Sequence, residues 1–336
     1  KVYPQTLDIM KTRSVPLGIE LVIGEVDQFD YSNDYFGILM QYPDSEGNII
    51  NPSSVIKKCN DKSIFSCVCS DLMSLVLFQP PGEHGASAVV GNSQRFGVPM
   101  GYGGPHAAFF ATKEEFKRFI PGRIIGVSID KFGNPAYRMA LQTREQHIKR
   151  DRATSNICTA QVLLAVMAGM YTVYHGKEGI TKIANKINYL AGLLSNGLTL
   201  LGFEQENEVF FDTIKIKVDE KVKLKVKNST ENKRINLRYF ESNHIGISID
   251  ETKSINDIFD LINIFSEFSD KKLEIDLNAL GNIDSKTKNK ESRSTDFLSH
   301  EIFNKYHTEH EILRYMKRLE NKDLSLVHSM ISLGSC

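Results

Sequence analysis

Two apolar segments in the first third of the chain, Ser63-Ile-Phe-Ser-Cys-Val-Cys69 and Ala86-Ser-Ala-Val-Val-Gly91, decide the predicted fold. The first is apolar enough for a strand that is buried on both faces, and it ends just before Asp71. Similar runs between turn-rich stretches predict further elements, namely strands over Leu17–Ile23, Tyr35–Gln41 and Ala107–Thr112 and a helix over Asn51–Asn60. Strands joined by crossovers in this order indicate an α/β layer with a mostly parallel sheet.

The second half of the chain predicts a smaller α+β lobe, because helical spacing there flanks two runs that alternate like strands. The predicted helices are Val162–Tyr174, with Gly176 as its C-terminal stop, Ile180–Leu201, Ile255–Phe265 and a stretch around Glu311–Leu319; the alternating runs are 210–226 and 235–249. Residues 284–294 hold no apolar side chain, which predicts a surface linker. We therefore expect a large α/β domain over 1–178, a small α+β domain over 179–283, and a linker with a helical arm over 284–336.

Charge and cysteine usage exclude several classes of protein. The 336 residues hold 41 Lys and Arg against 41 Asp and Glu, so no overall positive field attracts nucleic acid or an anionic membrane. The longest apolar run, Val162–Tyr174, is shorter than the ~20 residues that span a bilayer. Among five cysteines only Cys67 and Cys69 lie close together, and no zinc-like spacing accompanies them. We expect reduced thiols, no metal, no nucleic acid and no membrane partner.

Asp71 and Arg95 follow two successive predicted strands. In pyridoxal phosphate enzymes of the aspartate aminotransferase fold, comparable positions hold the acid that faces the pyridine nitrogen and the lysine that forms the Schiff base. Arginine stays protonated and offers no free amine, so this segment predicts no covalent attachment of that cofactor. The alternative role for Asp71 is to cap the helix that follows. The glycine-rich segment Ser93–His106 matches neither a dinucleotide-binding nor a P-loop motif.

Two further features keep alternative interpretations. The stretch Tyr137–Arg152 holds five Lys and Arg, which suits a solvated ion-pair face, a domain contact or the anionic patch of a partner. Thr154-Ser-Asn offers capping side chains for the apolar helix predicted to end near Tyr174, and Cys158 lies at the start of that helix, near Asn156 and Thr159. A helix N-terminus lowers the pKa of a thiol, which makes Cys158 a candidate for redox control; the alternative is a buried small residue.

Four long strings carry a family resemblance: Gln94-Arg-Phe-Gly-Val-Pro-Met-Gly-Tyr-Gly-Gly-Pro-His-Ala-Ala-Phe-Phe110, Tyr137-Arg-Met-Ala-Leu-Gln-Thr-Arg-Glu-Gln-His-Ile148, Ala153-Thr-Ser-Asn-Ile-Cys-Thr-Ala-Gln161, and the closing run Arg318–Cys336. They closely resemble the P-protein family of the glycine cleavage system, the glycine decarboxylases, also called glycine dehydrogenases (decarboxylating). The likeness runs in register from Tyr3 to Cys336.

The resemblance implies a protein of two homologous halves, fused or separate, each with the aspartate aminotransferase-like fold, which is fold type I of the pyridoxal phosphate-dependent transferases. This chain resembles the later part of the amino-terminal half. The Schiff-base lysine of the family belongs to the carboxy-terminal half, and Arg95 is its counterpart here. No catalytic residue is therefore expected in this chain, while Ser335 and Cys336 are expected to approach the cofactor of the other half. Ser332 stands where the family usually has proline.

The implied function is pyridoxal phosphate-dependent decarboxylation of glycine, with transfer of the aminomethyl group to the lipoyl arm of H-protein. The implied partners are the carboxy-terminal half, lipoylated H-protein and glycine, in a homodimer of two-half chains or a heterotetramer. Alternatives are a non-catalytic aminotransferase-like scaffold and an independent pyridoxal phosphate enzyme; Arg95 counts against the latter. The expected compartment is the bacterial cytoplasm, or the mitochondrion if the source is eukaryotic.

Overall fold

A computed structural model describes residues 1–31, 34–153, 160–271, 277, 280 and 292–330. The helices are α1 (Pro4–Ser14), α2 (Ser53–Asp61), α3 (Gln146–Lys149), α4 (Val162–Leu200), α5 (Glu220–Asn232), α6 (Ile255–Ser266) and α7 (Glu309–Glu320). The strands are β1 (Gly37–Tyr42), β2 (Phe65–Ser70), β3 (Ala88–Asn92), β4 (Ala108–Thr112), β5 (Ile124–Ile129), β6 (Pro135–Ala140), β7 (Glu204–Gln205), β8 (Thr213–Lys217), β9 (Arg238–Tyr239) and β10 (His244–Ser248). Most of the predicted linker, 284–291, lies outside the described residues.

The large sheet has the strand order β1-β2-β3-β4. β1 and β2 run parallel, β2 and β3 run parallel, and β4 closes the order as an antiparallel strand. The prediction of a mostly parallel sheet is therefore confirmed. The prediction of a strand over Leu17–Ile23 is wrong: Gly18 adopts a left-handed φ of 64°, and residues 18–24 line a cavity of about 830 Å³ together with β1. The apolar side chains of that run line the cavity beside the sheet instead of extending the ladder.

One face of this sheet carries the first core. Met40, Val68 and Val89 point to that face and are buried, together with Ile56 of α2 and Ile180 of α4. On the opposite face, Phe65 is 51% exposed, and Cys67 and Cys69 are partly exposed. The prediction that this strand is buried on both faces is therefore wrong for the described residues, because α2 and α4 cover only one side of it.

The second core belongs to an antiparallel sheet of order β7-β8-β10-β9, packed against the C-terminal part of α4 and against α6. The predicted strand character of 210–226 is confirmed only for β8, since residues 220–232 form helix α5. Asp219 caps α5 by accepting a hydrogen bond from the Val222 backbone N–H at 2.7 Å. Val222, Val226 and Thr230 recur every four residues. Residues at this spacing lie on one face of a strand and also on one face of a helix, so the pattern fits both structures.

Helix α4 joins the two cores. Gly176, predicted as a stop, has the non-helical angles φ 59° and ψ −172°, so it does interrupt the helical geometry, and the second helical part of α4 continues from there to Leu200. A Cβ at Gly176 would lie 2.7 Å from the ring of His307, so glycine permits the arm over residues 292–320 to pass close to α4. The arm ends in α7, which confirms the helix predicted around Glu311–Leu319. Because α4 crosses residue 178, the domain bounds 1–178, 179–283 and 284–336 stay predictions.

Gly47 sits where the two lobes touch, and its replacement tests that contact. Gly47 has φ 88°, and a Cβ there would lie 2.9 Å from the Cβ of Thr213 and closer still to the Thr213 carbonyl oxygen. We expect Gly47→Ala to lower the free energy of unfolding by about 3 kcal/mol or more, since backbone strain and a backbone clash add.

Gly133→Ala is the matched control, because Gly133 has φ 86° with no atom within 4 Å of the added Cβ. Its cost should be about 1–2 kcal/mol, the penalty of the left-handed conformation alone. Urea titration measures both variants, and equal losses would show that the lobes do not press together at Gly47.

Candidate functional site

Arg95 lies in the turn directly after β3. Its guanidinium Nη2 is 3.2 Å from Asp71 Oδ2 and forms a close ion pair and hydrogen bond with Asp212 Oδ2. The side chains of Arg95, Asp71 and Asp212 are 23%, 21% and 10% exposed. These three residues, named here the Arg95 cluster, join the strand ends of the large sheet to the segment before β8. One cation therefore balances two carboxylates, one from each lobe.

The sequence analysis singled out Asp71 and Arg95 as neighbouring positions at strand ends, and it did not identify Asp212. The alternative prediction that Asp71 caps the following helix is wrong, because the 3-10 helix Ser74–Val76 has Met73 as its N-cap and no side-chain cap hydrogen bond. Asp71 Oδ1 instead accepts a hydrogen bond from the Met73 backbone N–H at 2.9 Å, in the turn before that helix. Asp212 is 117 residues from Arg95 along the chain. Nothing in the spacing of Asp212 relates it to Arg95, so only the approach of the two lobes reveals the contact.

The residues beside Arg95 are committed to packing. Phe96 stacks on Tyr171 of α4, with ring centroids 5.8 Å apart and an interplanar angle of 22°. Gly97 has φ 76°, and a Cβ there would lie 2.6 Å from the Tyr171 ring. Burial raises the pKa of the Tyr171 hydroxyl to about 12. The start of the glycine-rich segment is therefore held against a helix, while Met100 and Tyr102 farther along are exposed.

A second polar group lies between the lobes. Lys215 Nζ of β8 contacts Glu46 Oε2 at 3.0 Å and Glu206 Oε2 at 2.7 Å, and His244 Nε2 lies 2.6 Å from Glu206 Oε1. The hydrogen bond from Lys215 lowers the pKa of Glu206, with a smaller contribution from His244. Burial alone would raise the pKa of Glu46, but hydrogen bonds from Lys1 and Lys215 outweigh it and lower that pKa. Sequence analysis missed this group, although a lysine between Ile214 and Ile216 in an apolar strand was its signal.

The cationic stretch Tyr137–Arg152 does not act as one patch. Arg144 is buried, and its guanidinium donates hydrogen bonds to the carbonyl oxygens of Arg118 and Gly122 at 3.2 Å each, and to that of Ile120. For Arg144 the predictions of a solvated ion-pair face or a partner's anionic patch are wrong, because backbone carbonyls use its donors. The other four Lys and Arg residues in the stretch are exposed.

Three residues singled out from the sequence, Ser335, Cys336 and Cys158, lie outside the described residues, as does Thr154-Ser-Asn. Cys67 and Cys69 point to the same face of β2 as free thiols. Burial raises the pKa of both, and it raises that of Cys69, helped by the charge of Cys67, to about 12. The described residues contain no group of three or more His, Cys, Asp or Glu placed to hold a metal ion. Within that same part of the chain, no helix has the length and apolar character needed to cross a membrane.

Comparison with known proteins identifies the family. The family model described as "Glycine cleavage system P-protein" matches residues 1–265. The chain belongs to the glycine cleavage system P-protein family. The glycine dehydrogenase (decarboxylating) of Christiangramia forsetii is 53% identical over 333 residues, which cover 99% of this chain and 35% of that protein. The mitochondrial enzyme of that name from Solanum tuberosum is 50% identical over 338 residues and covers 99% of this chain and 32% of its own length. The chain thus spans about a third of the length of the curated relatives it matches.

Solved structures confirm the fold class. A glycine decarboxylase (P-protein) in inhibitor-bound form superposes with a TM-score of 0.69 at 27% identity, covering 79% of this chain and 63% of that chain. An aspartate aminotransferase from Thermus thermophilus superposes at 0.51 and 14% identity, covering 76% and 72% of the two chains. At that identity the likeness shows the fold alone, which is the aspartate aminotransferase-like α/β fold predicted from the sequence.

The fold family implies pyridoxal phosphate, and the residues around Arg95 do not fit a covalently held molecule of it. Arg95 has no amine to form a Schiff base, and Asp71 and Asp212 both pair with its guanidinium. Phe96, the neighbour of Arg95 in the sequence, is stacked on Tyr171. In this chain the position therefore serves as an ion-pair contact between lobes.

A double-mutant cycle tests the Arg95 cluster. Arg95→Met should lower the free energy of unfolding by about 2 kcal/mol, because two partly buried carboxylates then face each other without a cation. In an Asp212→Asn background the same change should cost at least about 1 kcal/mol less, since only one carboxylate remains. Lys305→Met is the control, because Lys305 and its partner Glu301 at 2.7 Å are both exposed. Additive losses in urea titration would show that Arg95 and Asp212 do not interact.

The Lys215 group predicts a dependence of stability on pH. The pKa of Glu206 and that of Glu46 are both lowered from 4.5 in the folded state. The ionised forms of Glu206 and Glu46 therefore contribute to the stability of the folded state above about pH 4.5. That contribution is lost as the pH falls through their lowered pKa values. Lys215→Met should cost about 2 kcal/mol at pH 7 and progressively less below pH 4.5.

Lys217→Met is the matched control on the same strand, since Lys217 forms an exposed pair with Glu204 at 3.0 Å. It should change the free energy of unfolding by less than about 0.5 kcal/mol at any pH. Urea titrations across the acid range provide both curves. A loss in Lys215→Met that stays constant with pH would rule out the ion pairs as its cause.

Proposed function

We propose that this chain is part of the amino-terminal half of a P-protein and that it binds no pyridoxal phosphate itself. The complete protein would decarboxylate glycine with that cofactor and pass the aminomethyl group to the lipoyl arm of H-protein. The observation that carries the proposal is the Arg95 cluster, because the position of the expected lysine holds an arginine paired with Asp71 and Asp212. Membership of the P-protein family supports the reaction, and this cluster supports the assignment to the half without the lysine.

In the proposed assembly the carboxy-terminal half supplies the Schiff-base lysine, and this chain supplies the wall that faces it. The Arg95 cluster and the Lys215 group hold the two lobes in a fixed relation, which would keep that wall in place. Ser335 and Cys336 are proposed to reach the cofactor of the other half. The proposed assembly is a homodimer of two-half chains or a heterotetramer of separate halves.

The compartment is part of the proposal. Christiangramia forsetii and Flavobacterium johnsoniae have relatives of 53% and 51% identity, and the relative from Solanum tuberosum is named as mitochondrial. We propose the bacterial cytoplasm for this chain, with the mitochondrion as the alternative for a eukaryotic source.

The isolated chain should neither hold pyridoxal phosphate covalently nor release CO2 from glycine. No visible Schiff-base absorbance should appear after mixing with the cofactor, and borohydride should trap no adduct. Arg95→Lys should remain inactive, because Asp71 and Asp212 would keep the new amine protonated. Absorbance spectra, peptide mapping and exchange of labelled CO2 into glycine are the measurements.

The same chain, placed in a complete P-protein with its carboxy-terminal half, should support glycine–CO2 exchange. A borohydride adduct on one buried lysine of the isolated chain would overturn the cofactor-free assignment. Normal folding of the complete protein with no exchange would favour the scaffold interpretation instead.

A further inference from the structure

Strands β5 and β6 form a two-stranded antiparallel hairpin. Val127 pairs with Tyr137 and Ile125 with Met139 across it. In the described part of the chain, neither strand packs extensively on any helix or strand other than its partner strand. An isolated two-stranded hairpin is at best marginally stable in water, so this one needs support from its ends or from a partner.

One face of the hairpin is apolar and open to solvent. Ile125, Val127, Ile129 and Tyr137 share this face and are between 59% and 79% exposed. The opposite face carries one large apolar residue, the half-buried Ile124, beside small or polar residues, namely Gly126, Ser128, Ala136, Arg138 and Ala140. Burying four such side chains against a partner would contribute a large favourable hydrophobic free energy. A contiguous apolar patch that is exposed to water is typical of an interaction surface.

Both ends of the hairpin are held in place before any partner binds. At the tip, Asp130 Oδ1 accepts hydrogen bonds from the backbone N–H groups of Phe132 at 2.8 Å and Asn134 at 2.9 Å. The hydrogen bond from the Asn134 backbone N–H lowers the pKa of the Asp130 carboxyl most, and the bond from the Asn134 side chain lowers it further. The Asp130 carboxyl therefore stays ionised at neutral pH. At the base, buried Arg144 donates hydrogen bonds to the carbonyl oxygens of Arg118, Ile120 and Gly122. A pre-shaped hairpin loses less conformational entropy when it docks.

Charge distinguishes between possible partners. Residues 113–152, which contain the hairpin, hold ten Lys and Arg against five Asp and Glu, whereas the whole chain has no net charge. Two copies of this chain meeting through the same hairpin face would bring two cationic regions together. A surface with carboxylates around an apolar centre would instead attract this region and guide its approach.

We propose that the apolar face of the β5–β6 hairpin docks on the carboxy-terminal half of the P-protein, on an apolar surface bordered by carboxylates. This inference rests on the proposed function. Relatives that match 99–100% of this chain at 47–53% identity are about three times as long, so in them the hairpin shares one polypeptide with the other half. Docking explains why an exposed apolar face lies on a hairpin that has no cover within the described residues.

Site-directed photocrosslinking identifies what covers the hairpin. The chain replaces its counterpart in the full-length Flavobacterium johnsoniae protein, to which it is 51% identical. Val127 is exchanged for p-benzoylphenylalanine on the apolar face, and Ser128 is exchanged in a matched control on the opposite face. Val127 should crosslink to peptides of the carboxy-terminal half, and Ser128 should not. Crosslinks from Val127 to the hairpin of a second copy or to the amino-terminal half, or no crosslinks, would overturn the proposal.

Hydrogen exchange provides an independent measure. Amides of residues 124–140 should exchange at least about tenfold more slowly in the full-length protein than in the isolated chain, and Val127→Asp should remove most of that difference. Ser128→Asp should leave it in place. Equal exchange in the two settings would overturn the docking. Glycine–CO2 exchange is assayed separately, so that the two proposals can fail independently. A docked hairpin in an inactive protein contradicts only the proposed function. An active protein with an undocked hairpin contradicts only the docking.

Discussion

The contact between Arg95 and the carboxylates of Asp71 and Asp212 is the interaction on which the arrangement of this molecule depends. It links the strand ends of the large sheet to the lobe built around β8, at the edge where enzymes of this fold perform their chemistry. An ammonium group there could exchange its proton, but a guanidinium cannot. Arg95 therefore offers no free amine and holds a permanent charge between the lobes.

Around that contact the lobes share further polar links. Lys215 is buried between Glu46 and Glu206, and Gly47 allows the backbone of one lobe to approach Thr213 of the other. Buried ion pairs contribute little net stability compared with apolar packing, but they penalise every arrangement in which one partner is left alone. These groups therefore specify one relation between the lobes more than they strengthen it. Such precision suits a subunit whose proposed role is to shape a site that another half completes.

The exposed apolar surfaces of the chain also suit a subunit that packs against another one. One face of the large sheet and one face of the β5–β6 hairpin remain accessible, while the cores around α2, α4 and α6 are closed. The chain matches about a third of its curated relatives' length, and we propose that the exposed hairpin face packs against further polypeptide. The excess of Lys and Arg around the hairpin favours a partner surface that carries carboxylates over a second copy of this chain.

The sequence by itself determined the fold class, the parallel core strands, the helices around residues 180–201, 255–265 and 311–319, and the absence of an amine at Arg95, because these depend on local periodicity and on side-chain chemistry. It misjudged residues 17–23 and 220–226, where an apolar alternation fits more than one backbone. Only the tertiary structure decided that Asp212 meets Arg95, that Lys215 is paired, and that Arg144 binds backbone carbonyls. Those contacts join residues up to 169 positions apart. No local pattern encodes them. The Asp212 and Lys215 contacts exist only after the two lobes have packed, and the Arg144 contacts exist only after the chain before β5 has folded back onto Arg144.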